Sequence, residues 1–170
     1  MVANCAAVAL LALFAVLPTE SSAQATSAAD RLWLSGGLGA GKFVGGGSGI
    51  IGGAGVTQQR GPHLFAIRAM ALLEVAGGDI GDSVVDIGLL YGRASTGQGI
   101  VGHRSAAAGL SLLDVSLRGP RRRRTLGVSL AAEATANGSV IGLGLRGFAN
   151  LNTVRAYAGL VLILKLGRLN

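Results

Sequence analysis

The stretch "SVIGLGLRGFAN", Ser139 to Asn150, places one arginine in the middle of an apolar, glycine-rich run. Gly142, Gly144, Arg146 and Phe148 alternate there with Ile141, Leu143, Leu145 and Gly147. A period of two marks a strand whose faces meet different surroundings, because successive side chains on a strand point to opposite sides. Arg146 is thus turned away from the leucines, and an acid such as Glu133 on the preceding strand is its expected partner. Helices are disfavoured elsewhere too. Each glycine costs a helix about 1 kcal/mol relative to alanine, and Ser35–Gly55 is crowded with them.

The same test, carried outward, finds seven further strands. The first, near Leu32–Lys42, sets Leu32, Leu34, Leu38 and Ala40 against Trp33, Ser35 and glycines. A glycine-rich second follows near Gly49–Gln58, and a third near His63–Leu73 opposes Phe65, Ile67, Ala69, Ala71 and Leu73 to Arg68. The fourth, near Val84–Arg93, opposes Val85, Ile87, Leu89 and Tyr91 to Asp86 and Gly88. In the fifth, near Ile100–Leu112, adjacent His103 and Arg104 leave the phase open. The sixth, near Leu126–Thr135, carries Glu133 opposite Leu126, Val128 and Leu130; the eighth, near Arg155–Leu166, carries Lys165 opposite Leu160, Leu162, Leu164 and Leu166.

Gln59-Arg60-Gly61-Pro62, Ser95-Thr96-Gly97-Gln98 and Asn137-Gly138 supply turn chemistry after the second, fourth and sixth strands, Asn-Gly being a preferred two-residue hairpin. The other connections, near Val44–Ser48, Glu74–Ser83, Asp114–Arg124 and Asn150–Thr153, read as longer loops. An even number of antiparallel strands with short turns at one rim and longer loops at the other predicts an all-β, eight-stranded up-and-down transmembrane barrel. Its leucine face meets lipid, and Arg68, Asp86, Glu133, Arg146 and Lys165 form a charge cluster in the lumen. Alternation by itself is the same for a soluble barrel with its leucines inside. The aromatics available for interfacial girdles are few: Trp33, Phe43, Phe65, Tyr91, Phe148 and Tyr157.

At the start of the chain, an apolar run from Ala6 to Leu17 precedes Ala23-Gln24-Ala25, a small-x-small cleavage pattern. Residues 1–25 therefore read as an export signal and 26–170 as a single barrel domain; about a dozen apolar residues fall short of the roughly 20 that a spanning helix needs. The single cysteine, Cys5, lies in that leader, so neither a disulfide framework nor a thiolate site is expected. The chain carries 15 Lys and Arg against 8 Asp and Glu. Four of these arginines form one run, Arg121 to Arg124, and aromatic residues make up only 4%; nucleic acid, which needs interleaved stacking platforms, is not an expected partner.

The segments "VDIGLLYGR" (Val85 to Arg93) and "IGLGLRGFANLNTVRAYAGLVLILKLGRL" (Ile141 to Leu169) resemble matching segments of small, uncharacterised exported bacterial proteins that are regarded as outer-membrane-type barrels. The last strand, through Tyr157, Gly159, Leu162 and Leu164, also resembles an assembly signal read by the outer-membrane assembly machinery. The resemblance implies a bacterial outer-membrane location and brings no activity or ligand.

His103-Arg104-Ser105 is the one hint of catalysis, since His-x-Ser on a strand puts base and nucleophile on one face. It resembles the His-x-Ser of lipid A deacylases, small outer-membrane barrels themselves, but Ala106 stands where those have Asn and Leu117 where they have an acid. Arg121, Arg122, Arg123 and Arg124, in the loop after the fifth strand, form a candidate anionic-surface site for lipopolysaccharide phosphates. Gly39-Ala40-Gly41-Lys42 lacks the Ser or Thr of a nucleotide loop, Phe43 following instead. Two histidines, His63 at a rim and His103, assemble no metal site, and no cofactor is expected. The expected role is that of a monomeric outer-membrane scaffold meeting surface lipid, with both mature termini periplasmic. Two alternatives are a lipid A-modifying hydrolase and a soluble periplasmic barrel holding an apolar ligand among inward leucines.

Overall fold

The computed structural model describes residues 30–76, 79–96, 102–117 and 122–169; the leader read at residues 1–25 lies outside them. Eight strands, β1 (Arg31–Phe43), β2 (Ser48–Arg60), β3 (His63–Ala76), β4 (Asp79–Thr96), β5 (His103–Ser116), β6 (Arg122–Asn137), β7 (Ile141–Asn152) and β8 (Tyr157–Arg168), follow one another in space as in sequence. β8 pairs antiparallel with β1 and closes the barrel. The starts of β1, β3, β5 and β7 and the ends of β2, β4, β6 and β8 share one end of the barrel, the turn rim; the opposite strand ends share the other, the loop rim.

The leucine face points outward. Leu89 is 64% and Leu126 71% exposed, and Leu34, Leu38, Ile67, Ile87, Leu110, Leu143, Leu145, Leu162 and Leu164 line the same outer surface. A soluble barrel with inward leucines is therefore not what this chain forms. The aromatics also differ from expectation. Trp33, Phe43, Phe148 and Tyr157 are buried in the interior, leaving Phe65 and Tyr91 on the outside. They turn inward because glycine-rich strands leave unfilled volume in a small barrel, whose bore is just wide enough for side chains to fill. Phe43, Ile51, Leu72, Leu113, Phe148 and Tyr157 pack the loop-rim half of the interior, and Trp33, Leu64, Leu90 and Leu169 the turn-rim half.

Three connections depart from the reading by turn chemistry. No long loop separates β3 and β4; the strands continue to Ala76 and from Asp79 past a register shift at Leu73/Val75. The cause is Glu74, whose carboxylate accepts from the backbone N–H of Asp82 and of Gly47, both at 3.0 Å. Asp114 and Arg122 to Arg124 likewise lie on β5 and β6, in register, rather than in a loop. The rims accordingly do not divide into short and long connections. Asn137-Gly138 does not form a two-residue hairpin either: residues 138–140 connect β6 to β7, with the Gly138 N–H donating to the Ile141 carbonyl at 2.7 Å. Gly61, by contrast, takes a left-handed φ of 58° in the turn between β2 and β3, a conformation that favours glycine.

Gly109 marks a close approach of strands, for a Cβ there would collide with the Leu89 carbonyl and the Leu90 Cα on β4. Gly109→Val is expected to force β4 and β5 apart at a cost of about 1–3 kcal/mol, read as a lowered urea midpoint of the folded barrel in detergent. An unchanged midpoint would show that the sheet relaxes freely at this position.

Candidate functional site

The interior is ordered in layers. Nearest the turn rim, the Lys165 ammonium, wholly buried, donates to Thr135 Oγ1 at 3.2 Å and lies 4.7 Å from the Trp33 ring centroid. It forms an ion pair with Glu133 Oε1, while Glu133 Oε2 accepts from Arg146 Nε at 2.9 Å and pairs with Nη2 at 2.8 Å. Arg146 Nη2 also donates to Ser35 Oγ at 2.9 Å across the barrel. One carboxylate thus serves two cations, and its cross-strand position opposite Arg146 in the β6–β7 register brings the pair together.

Nearer the loop rim, Asp86 is wholly buried. Its Oδ2 accepts from Asn150 Nδ2 at 3.0 Å, Ser129 Oγ at 3.3 Å and the Tyr157 hydroxyl at 2.5 Å, with Arg68 Nη2 at 3.8 Å. Ser111 and Ser129 complete this layer. The lumen thus gathers Glu133, Arg146 and Lys165 in one group and Arg68 and Asp86 in another. Inward parity alone could have pointed to Asn150, Ser111, Ser129, Gln59 and Thr135, which carry no charge to draw the eye. Tyr157 as a donor to Asp86 has no local signal, because the two are brought together from β8 and β4.

His103 also faces inward, 1% exposed, with Trp33 edge-on to its ring. Lys165 can only donate, so Nδ1 accepts from it at 3.4 Å and Nε2–H donates to Gln59 Oε1 at 3.3 Å. Both ring nitrogens are engaged, and neither is directed to Ser105. Ser105 stands opposite Glu133 in the β5–β6 register and lines a cavity of about 40 Å³ with Trp33, Ser35, Thr57 and Arg68. That space suits a few water molecules. Ligand pockets commonly measure about 300–1,000 Å³, well above this cavity.

At the loop rim, Arg122 and Arg124 of β6 pair in register with Ser116 and Asp114 of β5; Arg121 lies outside the described residues. Residues two apart share a face, so Arg122, Arg124 and Leu126 point outward together. Arg122 Nε donates to Asp114 Oδ1 at 2.5 Å and Arg124 Nε to Oδ2 at 3.4 Å. The Arg122 hydrogen bond, more than any other influence, holds the Asp114 carboxyl below its usual range, and that same bond raises Arg122. A depressed carboxyl contributes its contact fully above the ordinary carboxylate pKa and loses it only as the pH falls through the lowered value. The Asp114 carboxyl carbon, followed by NMR in detergent, is expected to titrate below the ordinary range in the wild type and to move up in Arg122→Gln. An ordinary midpoint in the wild type would contradict the contact.

Neither a family model nor a characterised protein matches this sequence. Solved structures do match. Neisserial surface protein A superposes with a TM-score of 0.59 at 13% identity, over 81% of this chain and 96% of that one. The fold is that of the small bacterial outer-membrane-type barrels. Ail, the attachment invasion locus protein of Yersinia pestis, superposes with a TM-score of 0.54 at 10% identity, over 82% of this chain and 97% of that one. At these identities the likeness is one of fold.

Proposed function

We propose that this chain is a monomeric bacterial outer-membrane barrel, exported behind the leader at residues 1–25, that meets surface lipid through its loop rim and carries out no catalysis. The observation carrying this reading is the outward pair Arg122 and Arg124 in line with Leu126, at the border of the apolar outer surface. Guanidinium groups at that height match lipid phosphates, which they bind by forked, charge-assisted hydrogen bonds. Asp114 holds the two side chains side by side and offsets only one of their charges. Both strand ends lie on the opposite rim, which suits periplasmic termini and assembly by the outer-membrane machinery. The names of the two structural neighbours, a surface protein and an attachment invasion locus protein, accord with a surface-interaction role.

The test is retention of lipopolysaccharide by the folded, purified barrel. Arg122→Gln/Arg124→Gln is expected to reduce bound lipopolysaccharide about tenfold while the folded barrel keeps its heat-dependent shift on SDS gels. Equal retention by variant and wild type would remove the loop rim as the lipid site.

A further inference from the structure

The turn rim carries a second basic surface, on the opposite side of the apolar band. Arg60 of β2 pairs in register with His63 of β3, and His63 with Arg93 of β4, so the three side chains share the outer face of adjacent strands. Arg104 of β5 lies two residues from Ala106, the partner of Arg93, which puts it diagonally beside Arg93 on the same face. All four are exposed. Among the described residues the acid that pairs with this group is Asp30, 3.5 Å from Arg60. The patch is thus strongly cationic, and Arg93 and Arg104 are its least compensated members.

Aromatic rings join it to the apolar surface. The Tyr91 hydroxyl and His63 Nδ1 are 2.6 Å apart with their rings stacked, and Phe65 packs on Tyr91 with centroids 5.0 Å apart. Phe65 and Tyr91 are each 50% exposed, next to outward Ile67 and Leu89. Rings with one apolar and one polar end settle at the boundary between hydrocarbon and headgroups. Arginines just beyond that boundary stand at the height of lipid phosphates. Charge complementarity and continuity with the apolar band therefore select one occupant.

We infer that the outward patch Arg60–His63–Arg93–Arg104 binds the phosphodiester headgroup of an anionic phospholipid in the leaflet around the turn rim. Arg93 and Arg104 hold the phosphate, and the Phe65–Tyr91 pair packs against the first part of the acyl chains. The inference rests on the reading of the chain as a membrane-spanning barrel, and it concerns the leaflet opposite the proposed lipopolysaccharide site.

The folded full-length barrel in neutral detergent would be mixed with equal amounts of dioleoylphosphatidylglycerol and dioleoylphosphatidylcholine and examined by native mass spectrometry. The expected result is preferential retention of phosphatidylglycerol, reduced about tenfold in Arg93→Gln/Arg104→Gln. Equal retention of the two lipids by the wild type overturns the inference, as does undiminished preference in the folded Arg93→Gln/Arg104→Gln protein. Should that variant fail to fold, the wild-type preference and its loss at high salt decide the matter. Flotation of the wild type with phosphatidylcholine vesicles tests insertion separately. A barrel that inserts without preferring phosphatidylglycerol overturns this inference alone, whereas one that does not insert overturns the proposed function as well.

Discussion

Glu133→Ala should destabilise the folded barrel by about 3–5 kcal/mol, the cost of leaving buried charge without its partner. Glu133 is the carboxylate between Lys165 and Arg146, and both of those side chains are buried. Its removal leaves the Lys165 ammonium with Thr135, His103 and the Trp33 ring, and leaves Arg146 with Ser35. None of these carries a negative charge. Lys165→Met in the Glu133→Ala background should restore part of the loss, because it removes one stranded cation and fills the same volume with apolar atoms. The urea midpoint of the barrel in detergent measures both effects. A loss below about 1 kcal/mol for Glu133→Ala would place these contacts with weak, solvated surface bridges and would mean that bulk solvent, beyond the few water molecules the cavity can hold, reaches the turn-rim half of the lumen.

Leu89→Arg is the second large effect. Leu89 lies outward between Ile67 and Leu110 in the registers of β3 and β5, in the middle of the apolar surface. An arginine on the lipid face of a membrane barrel costs about 2–4 kcal/mol at the bilayer midplane and about 0–1 kcal/mol near the interface. Leu126→Arg, two residues from Arg124 at the loop rim, is the shallow counterpart. The expected pattern is a strong loss for Leu89→Arg and a small one for Leu126→Arg when folding is measured into lipid vesicles. Two equal losses, both within about 0.5 kcal/mol, would be the behaviour of a water-exposed surface and would contradict membrane insertion.

Much of the architecture is legible along the chain because it depends on local parity. Alternation through Ile141–Phe148, Phe65–Leu73 and Val84–Tyr91 identifies strands and separates Arg146, Arg68 and Asp86 from their leucine neighbours without any knowledge of the fold. The strand ends were less legible. Glu74 and Asp114 look like loop residues, yet the Glu74 carboxylate gathers backbone donors from β4 and from the β1–β2 connection, and the Asp114 carboxylate gathers two arginines from β6. Arg122–Arg124 accordingly looked like a loop run and are instead the start of β6.

The sequence by itself determined the number of strands, their two-faced character and which residues share a face, because side-chain direction in a strand repeats every two residues. Which face lies inside was decided by closure of β8 on β1, since period-two alternation is identical for either choice and only the curvature of the closed sheet distinguishes them. The same closure brought Tyr157 to Asp86 and Ser35 to Arg146 across the lumen. It also committed His103 to Gln59 and Lys165 rather than to Ser105. These partners are far apart in sequence, and their meeting depends on register and shear around the whole barrel, quantities that no single strand encodes.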